Sequence, residues 1–239
     1  IKSKDSSVIS ITTDSTLTIK EGQLVNPSTN ANTDDGLGIS GSDNIVLSST
    51  SGNIDIQSGI TSSSGDITIN AQTSISQTGK IEAQGLNNLL KVTTQTGSIV
   101  MNDDSIIKAV DSTTQIELNS AVNVEVETIE SLGQVSITAG GNLTDIDSTG
   151  DSEVDITAVD LILNVTNEIG SLDNNIETDI STIESTSSKL YLTETDDLFV
   201  NSITGTQVNL TANKITDGTD TSIQATTLTV NADEIGESN

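Results

Sequence analysis

Aliphatic residues recur at every second position along this chain, in short runs broken by Gly, Asn, Asp and Ser. Ile9-Ser-Ile11, Ile54-Asp-Ile56, Ile67-Thr-Ile69, Leu90-Lys-Val92, Val135-Ser-Ile137, Val208-Asn-Leu210 and Leu228-Thr-Val230 each set two apolar side chains on one face and a polar one on the other. Period two is the mark of a half-buried strand, and the residues between the runs are turn formers. No helical periodicity of useful length appears, and Pro27 is the only proline.

The runs are copies of one another. GDITINAQTSIS at 65–76 returns as GQVSITAGGNLT at 133–144 and again as QVNLTANKIT at 207–216. Aligned, they match Ile67 with Val135 and Val208, Ile69 with Ile137 and Leu210, Ala71 with Ala139 and Ala212, and Ile75 with Leu143 and Ile215. These twelve residues are expected to form interior ladders. The Ala fits a tight corner, and the Gly ahead of the first two copies fits a turn entering the strand. Segments opening at Ile45, Ile116 and Leu190 share a further pattern of paired aliphatics. The chain thus divides into an N-terminal segment, 1–44, and repeats at 45–115, 116–189 and 190–239, the last partial. Residues 1–44 would serve as a cap or as a strand pairing with a neighbouring subunit.

Each unit of about 70 residues is itself built of coils of about 20. One such coil cannot bury its apolar face. Stacked coils can, because every strand hydrogen-bonds to its equivalents above and below at about 4.8 Å spacing, with β-branched side chains between them. The expected fold is all-β, a right-handed parallel β-helix (a β-solenoid) of about 10–12 coils. The alternative is a string of small β-sandwich modules, for which a unit of about 70 residues is short against the usual ~100.

Composition narrows this further. Hydrophobic residues are 32 % of the chain, and Phe199 and Tyr191 are the only aromatics. That suits a core one side chain thick rather than a sphere. Low apolar content with a net charge of −27 is also the composition of disordered chains, but disorder does not arrange Ile and Val at period two. Against 35 acidic residues stand eight Lys, with neither Arg nor His. Nucleic acid and anionic membrane are therefore excluded as charge-driven partners. No apolar run is long enough to span a bilayer, and the lack of Cys removes disulfides and thiolate metal sites. The sequence opens at Ile1 without Met or a signal peptide, as a processed protein or a piece of a longer one would.

The stretches GDITINAQTSISQTGKIEAQG, GSIVMNDDSIIKA, GQVSITAGGNLTDIDS and KLYLTETDDLFVNSITG resemble the β-strand repeats of very large bacterial surface adhesins of the filamentous-haemagglutinin type. The likeness covers roughly residues 45–239 and implies a right-handed β-helical shaft exposed outside the cell. Residues 1–44 match it poorly, and neither an export domain nor an anchoring domain of such proteins is visible.

Catalysis finds little support. Polysaccharide lyases of β-helical shape need a basic residue or a Tyr or His, and Tyr191 falls at an outward strand position. No cofactor is called for except Ca²⁺. Asp103, Asp104, Asp145, Asp147, Asp196 and Asp197 stand at expected turns, where carboxylate oxygens could converge on that ion, as could Asp34, Asp35, Asp151, Asp217 and Asp220. The plain alternative at each is a solvated turn. Asn142, Asn164 and Asn209 open Asn-x-Thr sequons at about the frequency chance supplies.

The expectation for function is a non-enzymatic extracellular structural protein, a solenoid shaft or filament subunit. Its partner would be a second copy stacked end to end, or further repeats of a longer chain. The alternative is an adhesin module whose flank recognises a surface glycan or host receptor.

Overall fold

The computed structural model describes residues 1–2, 7–20, 37–147, 153–217 and 223–237. Among these, 25 strands join in a single sheet in which every pairing is parallel. Strands from consecutive coils lie on one another in register, so the chain winds as a β-solenoid of about 9 turns. A string of sandwich modules would require separate antiparallel sheets and is excluded.

Three faces run along the axis. On the first, Ile9, Ile45, Ile67, Leu90, Ile116, Val135, Leu161, Ile183 and Val200 stack in one column. On the second, Leu17, Ile54, Ile75, Ile99, Val124, Leu143, Ile169, Leu190, Val208 and Leu228 do the same. The third begins with six isoleucines, Ile39, Ile60, Ile81, Ile107, Ile129 and Ile156, and ends with Thr178 and Glu194. Nearly all the aliphatic members are sealed from solvent and join one continuous core.

The turn count falls below the 10–12 expected because a coil takes more chain than the sequence pattern implies. Ile67 to Leu90 spans 23 residues and Leu90 to Ile116 spans 26, while Ile9 to Ile45 spans 36. Within the N-terminal segment, Ile9–Thr13 pairs residue for residue with Ile45–Ser49, so residues 9–20 and 37–44 stack as a rung on the coil that follows. Residues 21–36, including Asp34 and Asp35, lie outside the described residues, as do Asp151 and Asp220.

All twelve expected ladder residues are buried. Their phase differs from the sequence alignment, however. Val208 does not share a column with Ile67 and Val135. It stands on the second face behind Leu143, Ile169 and Leu190. The third sequence copy is therefore turned by one face. The coils also change shape on the way: strands of three to six residues give way to Ile156–Val165, Ile176–Thr186, Gln207–Asp217 and Thr227–Glu237, of ten or eleven residues, each bending across two faces. Tyr191 follows the outward parity of its strand but is only 7 % exposed, so the expected outward-facing ring is in fact covered.

The corners explain the small residues. Where the first face ends, Ser49, Ala71, Thr94, Ser120 and Ala139 follow one another, all buried. The hydroxyls serve the turn: Ser49 Oγ donates to the Ser15 carbonyl at 2.6 Å and accepts the Gly52 N–H at 3.0 Å. Gly65 is needed for room and not for a turn conformation. A Cβ there would sit 2.3 Å from the backbone nitrogen of Asn44 in the preceding coil.

Candidate functional site

Polar groups concentrate at the corners, and two corners carry distinct chemistry. Between the first and second faces, side-chain oxygens cap the next coil. Asn53 Oδ1 accepts the Ser74 N–H, Ser74 Oγ the Ser98 N–H, Ser98 Oγ the Asn123 N–H, Asn123 Oδ1 the Asn142 N–H, and Asn142 Oδ1 the Glu168 N–H. The distances are 2.9–3.3 Å. This corner is structural, and the amide of the Asn142 sequon is committed to it. Asn164 is exposed, and Asn209 is half-buried.

Between the second and third faces the corner is acidic over consecutive coils. It follows Met101 with Asp103 and Asp104, follows Val126 with Glu127, and then carries Asp145, Asp147 and Asp155, Glu177, and finally Glu194 and Asp196. Three groups of carboxylates form there, each with ligand oxygens within 4.8 Å of one another: Asp103–Glu127–Asp147, Asp145–Asp155–Glu177 and Asp179–Glu194–Asp196.

The groups deal with their charge differently. Glu194, 3 % exposed, is satisfied by the chain itself. Its Oε2 accepts the Thr178 hydroxyl at 2.7 Å and the Ile180 N–H at 3.2 Å, while its Oε1 accepts the Thr195 N–H at 3.0 Å. Burial nevertheless pushes its pKa to about 7. Asp155 is pushed to about 9 by burial, with the charges of Asp145 and Glu177 and a hydrogen bond to the Asp145 carboxylate adding to it. It therefore carries a proton at neutral pH and donates it to Asp145, while its own Oδ2 accepts the Glu177 N–H at 2.8 Å.

Glu127 has no such arrangement. It is 8 % exposed, its Oε1 accepts only the Asp104 N–H at 3.3 Å, and its Oε2 is buried without a protein partner. Burial raises its pKa to about 7, and the charges of Asp147, Asp103 and Glu153 push the same way. Asp103 is exposed and Asp147 half-buried, so the group opens to solvent.

Of the six Asp expected to bind Ca²⁺, the structure thus gathers Asp103 with Asp147, places Asp145 and Asp196 in two other groups, and leaves two aside. Asp104 contributes its backbone N–H to Glu127, and Asp197 pairs in register with Lys214. Asp217 joins none of the three groups. Glu127, Asp155, Glu177, Asp179 and Glu194 also belong to these groups and are not among the residues expected from the sequence.

Five of the described lysines form ion pairs with glutamates outside the three groups. Lys91, Lys108, Lys189 and Lys214 bridge to Glu117, Glu130, Glu168 and Glu234 at the register-paired position of an adjacent coil, and Lys80 bridges to Glu82. No family model, no curated protein and no solved structure matches the chain.

Proposed function

We propose that this chain is a non-enzymatic structural element, a stiff segment of a fibre or shaft on the outside of a cell. The observation that carries the reading is the unbroken parallel ladder. Aliphatic columns and their backbone hydrogen bonds run from coil to coil in one continuous sheet and core, with no break between domains among the described residues. Polar side chains are spent on capping the next coil rather than on lining a cleft, and Phe199 and Tyr191 are the only aromatic rings on which a sugar could stack.

The rung at Thr227–Glu237 supports association along the axis. Leu228 and Ile235 stand in register behind Val208 and Ile215, which are 0 % and 4 % exposed, yet they are themselves 48 % and 68 % exposed. An apolar rung of this kind is completed by another rung stacked on it, whether from more repeats of a longer chain or from a second copy.

Negative-stain microscopy of the purified chain tests this. Uniform straight rods, extending into fibres with concentration, are expected. Strictly monomeric short particles at high concentration, with saturable binding on a glycan array, would instead establish the adhesin alternative.

A further inference from the structure

In the acidic corner Glu127 is 8 % exposed and buries one carboxylate oxygen, Oε2, with no hydrogen-bond partner. Burying a charged oxygen without a partner costs several kcal/mol, so such groups are protonated, paired or bound to metal. Glu194 is answered by the N–H groups of Ile180, Thr195 and Asp196 and by the hydroxyls of Thr178 and Thr195, and Asp155 by a proton. Glu127 Oε2 has neither a donor nor a lysine: the five described lysines in ion pairs are held by other glutamates.

We propose that Asp103, Glu127 and Asp147 form a Ca²⁺ site that ties three successive coils together. Each residue follows the same second-face column, after Ile99, Val124 and Leu143 respectively, so the ligands come from stacked rungs and not from one loop. The donor set is all carboxylate oxygen, which suits a hard cation, and the exposed side at Asp103 leaves room for waters to complete the shell. Two oxygens on one ion can be no further apart than twice the metal–oxygen distance, about 4.6–5.2 Å for Ca²⁺ and about 4.0–4.2 Å for Mg²⁺. The ligand oxygens of this group lie within 4.8 Å of one another, close enough for one cation to meet all three.

The site is independent of the shaft reading. A rod without Ca²⁺ affinity leaves that reading standing, and a Ca²⁺ site on a chain that forms no fibres leaves this one standing. Calorimetric titration of the intact chain with CaCl₂ in about 0.15 M salt, where diffuse attraction to the acidic surface is screened, is the test. One saturable event is expected in addition to weak diffuse binding, with a rise in the thermal midpoint that EDTA reverses. Glu127→Gln should weaken the saturable event about tenfold or more, since Ca²⁺ affinity follows the ligand charge count. Asp103→Asn, at an exposed position that does not disturb the core, should weaken it too, and Glu194→Gln should leave it unchanged. In EDTA, Glu127→Gln should unfold no earlier than the parent chain, because it removes a buried charge. Equal titrations for the parent, Glu127→Gln and Asp103→Asn would overturn the proposal, and so would a lowered midpoint for Glu127→Gln in EDTA.

Discussion

The amide oxygen of Asn123 accepts the backbone N–H of Asn142 at 2.9 Å, and these residues open the second-face strands of two stacked coils. The contact is one link of the chain of caps from Asn53 to Glu168. It fixes the height of one corner on the next. Asn123→Ala removes the acceptor and leaves a half-buried N–H unanswered, which should cost about 1–3 kcal/mol. Urea denaturation followed by circular dichroism checks it. An unchanged midpoint would mean that water replaces the cap.

Interior columns should respond more strongly. Ile99 is 0 % exposed between Ile75 and Val124, so Ile99→Ala opens a cavity that the rungs on either side cannot fill. A loss of about 2–5 kcal/mol is expected in the same denaturation assay. Val100→Thr, one residue on and facing outward, should change stability by about 0.5 kcal/mol or less.

Two glycines offer a contrast that depends on space alone. A Cβ on Gly65 would meet the Asn44 nitrogen at 2.3 Å, whereas one on Gly236 would meet nothing within 4 Å. Gly65→Ala should destabilise by about 1–3 kcal/mol, by forcing two coils apart. Gly236→Ala should be neutral. Similar thermal midpoints for the two variants would show that coil spacing yields more easily than the packing implies.

The buried acids predict a stability that declines toward alkaline pH. Glu194 and Asp155 are held at about 7 and about 9, against ordinary values of 4.5 and 3.8. Over that interval the folded chain retains protons that the unfolded chain has released. The stabilisation is complete below the ordinary values and is lost as pH rises through the raised ones. In EDTA, the denaturation midpoint should fall steadily from about pH 5 to about pH 9. Glu194→Gln should flatten the lower part of the slope and Asp155→Asn the upper part. A midpoint that rises across the range would contradict the assignment of both groups.

Much of this architecture is legible in the sequence because period two and a parallel ladder impose the same constraint. An inward residue is aliphatic in most coils, so Ile67, Val135 and Val208 all read as core, and all are buried. The face on which a run lies is not legible. Aliphatic-x-aliphatic looks the same on all three faces, which is why Val208 aligns with Val135 while stacking behind Leu143 and Leu190. The acidic corner was half legible. Asp103 and Asp147 sit in turn-like surroundings and stand out. Glu127 hides in VEVETIE as one more outward charge, although the odd step from Val126 to Ile129 marks a corner there. Glu194 and Asp145 carry a clearer signal: in LYLTE and LTD the acid occupies the inward parity. Tyr191 has the outward parity that the sequence gives it, yet it is covered, because parity gives the direction of a side chain and not whether something lies over it.

The rotation of the third sequence copy by one face has a consequence for how such chains lengthen. A duplicated segment need not contain a whole number of coils to be accepted, because any aliphatic pair can enter any column. Each insertion out of phase carries its surface residues to a new side of the axis. Successive duplications can therefore distribute one ancestral surface pattern around the whole circumference, while the interior records nothing of the change.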